Sequence, residues 1–182
     1  SDFSSAVVDF NKAIYLNPSR PKSYLYRYIA YSRTENYQFA FGDINHYLTL
    51  APSDTLGRVY RLEIALKLKE YEAVNEDMIW LYKTMGDFFL QDYLPILNTH
   101  FDASKKFADF QKILLDLRQI NPNEILISES LIQNTYQMGQ FELCLSQVDD
   151  ILKRDPQNAN LLKLKADALF YLNRISESET IY

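Results

Sequence analysis

Amphipathic runs along this chain close, one after another, on a residue followed by proline: Asn17-Pro18, Ala51-Pro52, Asn121-Pro122 and Asp155-Pro156, the prolines standing 34, 70 and 34 residues apart. An aromatic residue stands fifteen positions before each of these prolines, and the extended row Phe3, Tyr37, Tyr71, Phe107, Phe141, Ile175 advances in steps of 34, 34, 36, 34 and 34. Pro cannot continue a helix and pushes the residue before it toward extended geometry, so each closure ends one helix and turns the chain into the next. A period in this range predicts stacked helical hairpins, each unable to bury its apolar face alone. The row of aromatics is expected in the core.

A second pair of rows runs inside each unit. Small residues fall at Ala6, Ala40, Cys144 and Ser178, with Val74 and Phe110 in the same slot, and large ones four positions later at Phe10, Ile44, Met78, Leu114, Val148 and Tyr182. Residues four apart share a helix face, so the small side chain lets a partner helix approach while the large one fills the space beside it. With the closing Pro, the segment from Asn36 to Pro52 resembles the second helix of a tetratricopeptide repeat (TPR). The resemblance implies an all-α, right-handed superhelical solenoid of antiparallel helix pairs without a sheet. It divides the chain into a partial repeat (1–20), repeats at 21–54, 55–88, 89–124 and 125–158, and a partial repeat at 159–182. Gly139 is expected in the tight turn between the helices of its own repeat, where a positive φ is needed. The first helices match the family less well: its Trp, Leu, Gly and Tyr slots read Tyr24, Arg27, Tyr28, Tyr31 and then Arg58, Arg61, Leu62, Ala65.

The step from Tyr71 to Phe107 is two residues long, and Met85-Gly86-Asp87 stands where a Pro is expected. Placing the extra residues between Gly86 and Gln91 predicts a helix that starts near Leu94 with Pro95 in its first turn. This junction is expected to change the twist and divide the array into two halves. The chain begins with a second helix lacking its first and ends inside another, so it is expected to be a segment of a longer array.

Composition narrows the chemistry. Of 182 residues 47% are apolar, with four Gly and six Pro, which fits helices on short turns. A net charge of −5 supplies no field for a phosphate backbone, so nucleic acid is not an expected partner. No stretch is long and apolar enough for a membrane span, and the start shows no signal-peptide pattern. The single Cys144 sits in the small slot and reads as a packing residue; lacking an internal partner, it fits a reducing compartment. His46 and His100 stand apart from any second His or Cys at ligand spacing, the four glycines are scattered, and Asp149-Asp150 reads as a solvated face. The expectation is a non-enzyme without cofactor or metal.

The resemblance places a ligand groove on the first helices, at repeat positions two, five, nine and twelve. Carried over, these are Lys22, Leu25, Ile29 and Ser32, then Leu56, Val59, Glu63 and Leu66, then Asp92, Pro95, Thr99 and Asp102. They continue as Leu126, Glu129, Gln133 and Tyr136, and as Asn160, Lys163, Asp167 and Phe170. Family members that hold a terminal carboxylate use Lys and Asn at positions five and nine, and no repeat here offers that pair. The implied function is a protein-interaction scaffold taking a peptide or helix in its groove, with Glu63 and Glu129 favouring a neutral or basic ligand. Two further readings stand beside it: a regulatory or targeting arm of a larger enzyme, and a module that self-associates end to end.

Overall fold

The computed structural model describes residues 3–181 and, over these, contains helices and turns without a strand. They form two compact units, Ser1–Gly86 and Asp87–Tyr182. The first unit contains α1 (Phe3–Leu16), α2 (Pro21–Arg33), α3 (Tyr37–Leu50), α4 (Thr55–Leu68) and α5 (Tyr71–Met85), each packed on the next in chain order from α1 to α5. The second contains α6 (Asp87–Ser104), α7 (Phe107–Ile120), α8 (Ile125–Gln137), α9 (Phe141–Leu152), α10 (Ala159–Tyr171) and α11 (Ile175–Glu179). In it α6 packs on α7 and α8, α8 on α9 and α10, and α10 on α9 and α11.

Two recurring turns make this pattern. Between α1 and α2 the Arg20 N–H donates to the Asn17 carbonyl, and Asp54 to Ala51, Glu124 to Asn121 and Asn158 to Asp155 repeat the bond with Pro as the next residue after each acceptor. That is a β-turn with Pro at its second position, where the fixed φ suits the geometry. Asp54, Glu124 and Asn158 then cap the following helix by accepting from the Gly57, Leu126 and Leu161 N–H groups. Inside each hairpin the chain turns through one left-handed residue: Glu35, Lys69, Lys105, Gly139 and Asn173, with φ of 57°, 63°, 56°, 74° and 60°. Gly139 stands where such a residue was expected, while the other turns hold side chains in a region that disfavours them.

The small and large slots carry the core. Ala40, Val74, Cys144, Ile44, Met78, Leu114 and Val148 are fully buried, and Phe110 and Ser178 nearly so. Ala6 and Phe10 are half-buried, and Tyr182 lies outside the described residues. Burial pushes the Cys144 thiol up to about 11, as a packing residue requires. The aromatic row departs from expectation. Tyr37, Tyr71, Phe107 and Phe141 are half-buried and Ile175 is exposed, because every member of the row opens its helix. The first position of a helix sits over the turn: Phe141 meets Tyr136 across its turn, with ring centroids 5.4 Å apart.

The first unit fixes its helices with arginines in the slot where the family has Leu. Arg27 donates to both Asp43 oxygens at 2.7 and 2.6 Å and to Asn11 Oδ1 at 2.6 Å, clasping α3 and α1 from α2. One repeat on, Arg61 donates to both Asp77 oxygens at 2.7 Å and to Asn45 Oδ1 at 3.2 Å, clasping α5 and α3 from α4. Arg58 adds a third bond to the fully buried Asp77 at 3.0 Å. In the second unit the equivalent positions are Leu97 and Leu131, both buried, and Lys165, which pairs with Asp149 at 2.6 Å.

The expected late helix start is corrected. The helix α6 begins at Asp87, one residue after α5, and Pro95 lies inside it rather than in its first turn. The apolar stripe explains this: Leu90 precedes Leu94, Leu97 and Phe101 at helical spacing and all four are buried, as is Phe89, so the stripe reaches back a turn further than assumed. Gly86, at φ 69° and ψ −152°, ends α5 in a conformation open to glycine. The stretch used elsewhere for a Pro turn is therefore helix here, and the two units divide at this glycine.

Candidate functional site

In the unit Asp87–Tyr182 the first helices α6, α8 and α10 lie side by side, and a pocket of about 460 Å³ opens on the face they share. Buried Leu90, Leu94, Leu161 and Leu164 supply apolar lining. Of the residues expected in the groove, Pro95, Leu126, Glu129, Gln133, Tyr136, Asn160, Lys163 and Asp167 line this pocket together. Their spacing causes the convergence, since residues three and four apart project from one face of each helix. Thr99 and Asp102 line an adjoining pocket of about 280 Å³ with Gln133. Asp92 and Phe170 line neither pocket, and Phe170 is 61% exposed.

The polar lining is held in place by hydrogen bonds. Asn158 Nδ2 donates to Glu129 Oε1 at 2.8 Å and to Asp155 Oδ2 at 3.1 Å, so the cap of α10 also orients a carboxylate on α8. Asn98 Nδ2 on α6 donates to Ser130 Oγ on α8 at 3.1 Å. Tyr136 packs on the core formed by Ile132, Cys144, Leu161 and Ala168, and burial first, then the Asp167 carboxylate, raises its phenol above the usual range. Asn98, Ser130, Leu90 and Gln91 escaped the sequence reading. The last two belong to the turn of α6 that was not expected, and Asn98 occupies the slot where the family has Gly.

In the unit Ser1–Gly86 the expected residues are distributed differently. Lys22 and Glu63 are exposed, Leu56 is 54% exposed, and Val59 is half-buried. Leu25 and Ile29 pack partly against the core of Tyr24, Tyr28 and Ile44, and Leu66 is buried, so much of this apolar row belongs to the unit's own interior. Tyr28 and Tyr60 meet at 5.4 Å between α2 and α4. Partial desolvation raises the Glu63 carboxyl above its ordinary range against the pull of Lys67. Among the described residues no group of three or more His, Cys, Asp and Glu side chains is placed to hold a metal, and no helix is long and apolar enough to cross a membrane.

Across the whole chain, the fold matches the C-terminal part of a TPR repeat-containing protein from Cytophaga hutchinsonii with a TM-score of 0.54 at 17% identity, covering 100% of this chain and 72% of that one. The chain has the tetratricopeptide-repeat fold. YrrB, a TPR protein with an unusual peptide-binding site, gives a TM-score of 0.53 at 16% identity over 94% of this chain and 88% of its own. MamA gives 0.53 at 13% identity over 98% and 90%. No protein-family model and no curated protein matches the sequence. At these identities the TPR likeness concerns architecture alone.

Proposed function

We propose that this chain is a non-catalytic interaction scaffold whose TPR groove in the unit Asp87–Tyr182 takes a peptide or a helix from a protein partner. The observation that carries the reading is the convergence of Glu129, Gln133, Tyr136, Lys163 and Asp167 with buried leucines around a pocket of about 460 Å³. A pocket of this size with apolar lining and a few oriented polar groups suits side chains of a bound segment, since burial supplies affinity and the polar groups supply register. YrrB, with a peptide-binding site on the same fold, supports a peptide as occupant. Glu129 and Asp167 outnumber Lys163 among the lining charges, which favours a neutral or basic segment.

Selection of a random 12-residue peptide library displayed on phage against the full chain tests this. Gln133 is exposed and lines both pockets, so Gln133→Trp fills the groove without touching the core. Recovered peptides should bind Gln133→Trp at least about tenfold more weakly, with an unchanged thermal melt. Peptides that bind the variant equally well would move the site elsewhere on the molecule.

A further inference from the structure

The donors and acceptors around the pocket are unevenly committed. Both Nδ2 bonds of Asn158 go to carboxylates, and one of them anchors Glu129 through Oε1 only. Among the described residues no donor bonds Glu129 Oε2. Asn98 commits its Nδ2 to Ser130 Oγ, which leaves its Oδ1 as a second acceptor that takes no bond from another described residue. Both residues line the pocket beside Leu90, Leu94 and Leu126. An anchored carboxylate oxygen and an anchored amide oxygen, next to leucines, match a side chain with an apolar stem and a planar head carrying several N–H donors.

We propose that the pocket takes an arginine side chain of the bound segment, its methylenes lying on the leucines and its guanidinium donating to Glu129 Oε2 and Asn98 Oδ1. This rests on the groove reading above and adds the class of residue that the groove selects. Lysine fits less well, because a compact ammonium cannot address two separated acceptors with a fixed fork. The fixed polarity also sets this subsite apart from one for a terminal carboxylate, which needs donors where Glu129 stands. Lys163 is the sole cation in the lining, and Asp167 lies four residues on along the same face of α10.

The phage selection, repeated with Glu129→Gln, decides the matter. The amide oxygen of Gln keeps an acceptor for Asn158, while its NH2 group stands where Oε2 was, so the substitution removes the charge and turns the free acceptor into a donor. Among peptides weakened by Gln133→Trp, arginine should be enriched at one position with apolar neighbours, and the enrichment should vanish on Glu129→Gln. For a selected peptide, replacing that arginine by citrulline should weaken binding to the unmodified chain about tenfold or more by titration calorimetry, and binding to Glu129→Gln by less than about threefold. Groove-dependent peptides without an arginine preference, or with an acidic residue in its place, overturn this inference and leave the groove reading standing. Recovery of no groove-dependent peptide overturns both.

Discussion

Asp77 shows what burial does to a residue that reads as ordinary in a list of charges. It is fully buried and takes three bonds from Arg58 and Arg61, while Arg58 also lies over the Trp80 ring at 4.8 Å. Removing the carboxylate leaves the Arg58 guanidinium without an acid partner and Arg61 with only the exposed Glu76 at 3.1 Å, so the cost comes from poorly compensated charge more than from the lost attraction. Asp77→Ala should lower unfolding free energy by about 3–5 kcal/mol in a urea titration. A loss below about 1 kcal/mol would mean that water reaches the pair. The recurrence of Arg27 and Arg61 at one repeat, each sixteen residues before Asp43 and Asp77, stands in the sequence. It read as a mismatch to the family because an arginine in a leucine slot has no meaning until its partner is seen to be buried opposite it.

At the scale of helices, close approach separates two glycines that look alike in sequence. Gly42 lies in α3 with open space where a Cβ would be, and Gly57 lies in α4 with Tyr47 Cε1 at 2.6 Å and Leu48 Cδ2 at 3.1 Å from that point. Gly42→Ala should therefore stabilise the chain by about 1 kcal/mol through helix propensity alone. In Gly57→Ala the same gain is opposed by the clash with the buried Tyr47 ring, and the variant should lose about 1–3 kcal/mol. Thermal melts of the two variants should move in opposite directions; a rise in both would show that α3 and α4 can part at no cost. Helix ends were legible where turn chemistry is explicit, as at Pro52 and Gly139. The end of α5 at Gly86 was legible too, but the start of α6 was not, because an apolar stripe extended by Phe89 and Leu90 competes with the insertion that the repeat length implied.

At the scale of the molecule, an acidic excess surrounds a pocket of mixed leucine and polar lining. With a net charge of −5 and two carboxylates against one lysine in the pocket lining, the proposed arginine-bearing peptide is expected to gain from attraction that salt screens. Raising ionic strength from about 0.05 to about 0.5 M should weaken a groove-dependent peptide several-fold, mainly through slower association. Affinity that is flat with salt would place the binding energy in apolar contact alone. The sequence by itself determined the all-helical repeat, the Pro turns and the small and large rows of the core, because periodic burial must repeat wherever neighbouring units stack in the same way. It also set Glu129, Gln133 and Tyr136 on one face of their helix and Lys163 and Asp167 on one face of theirs, and in the structure these five line one pocket. Tertiary structure decided the rest: that Leu25, Ile29 and Leu66 serve their own unit's interior, that Asn98 joins the pocket, and that Asn158 holds Glu129 by one oxygen. Those outcomes depend on which side chain of one helix meets which of another, and periodicity along a single chain carries no measure of that distance.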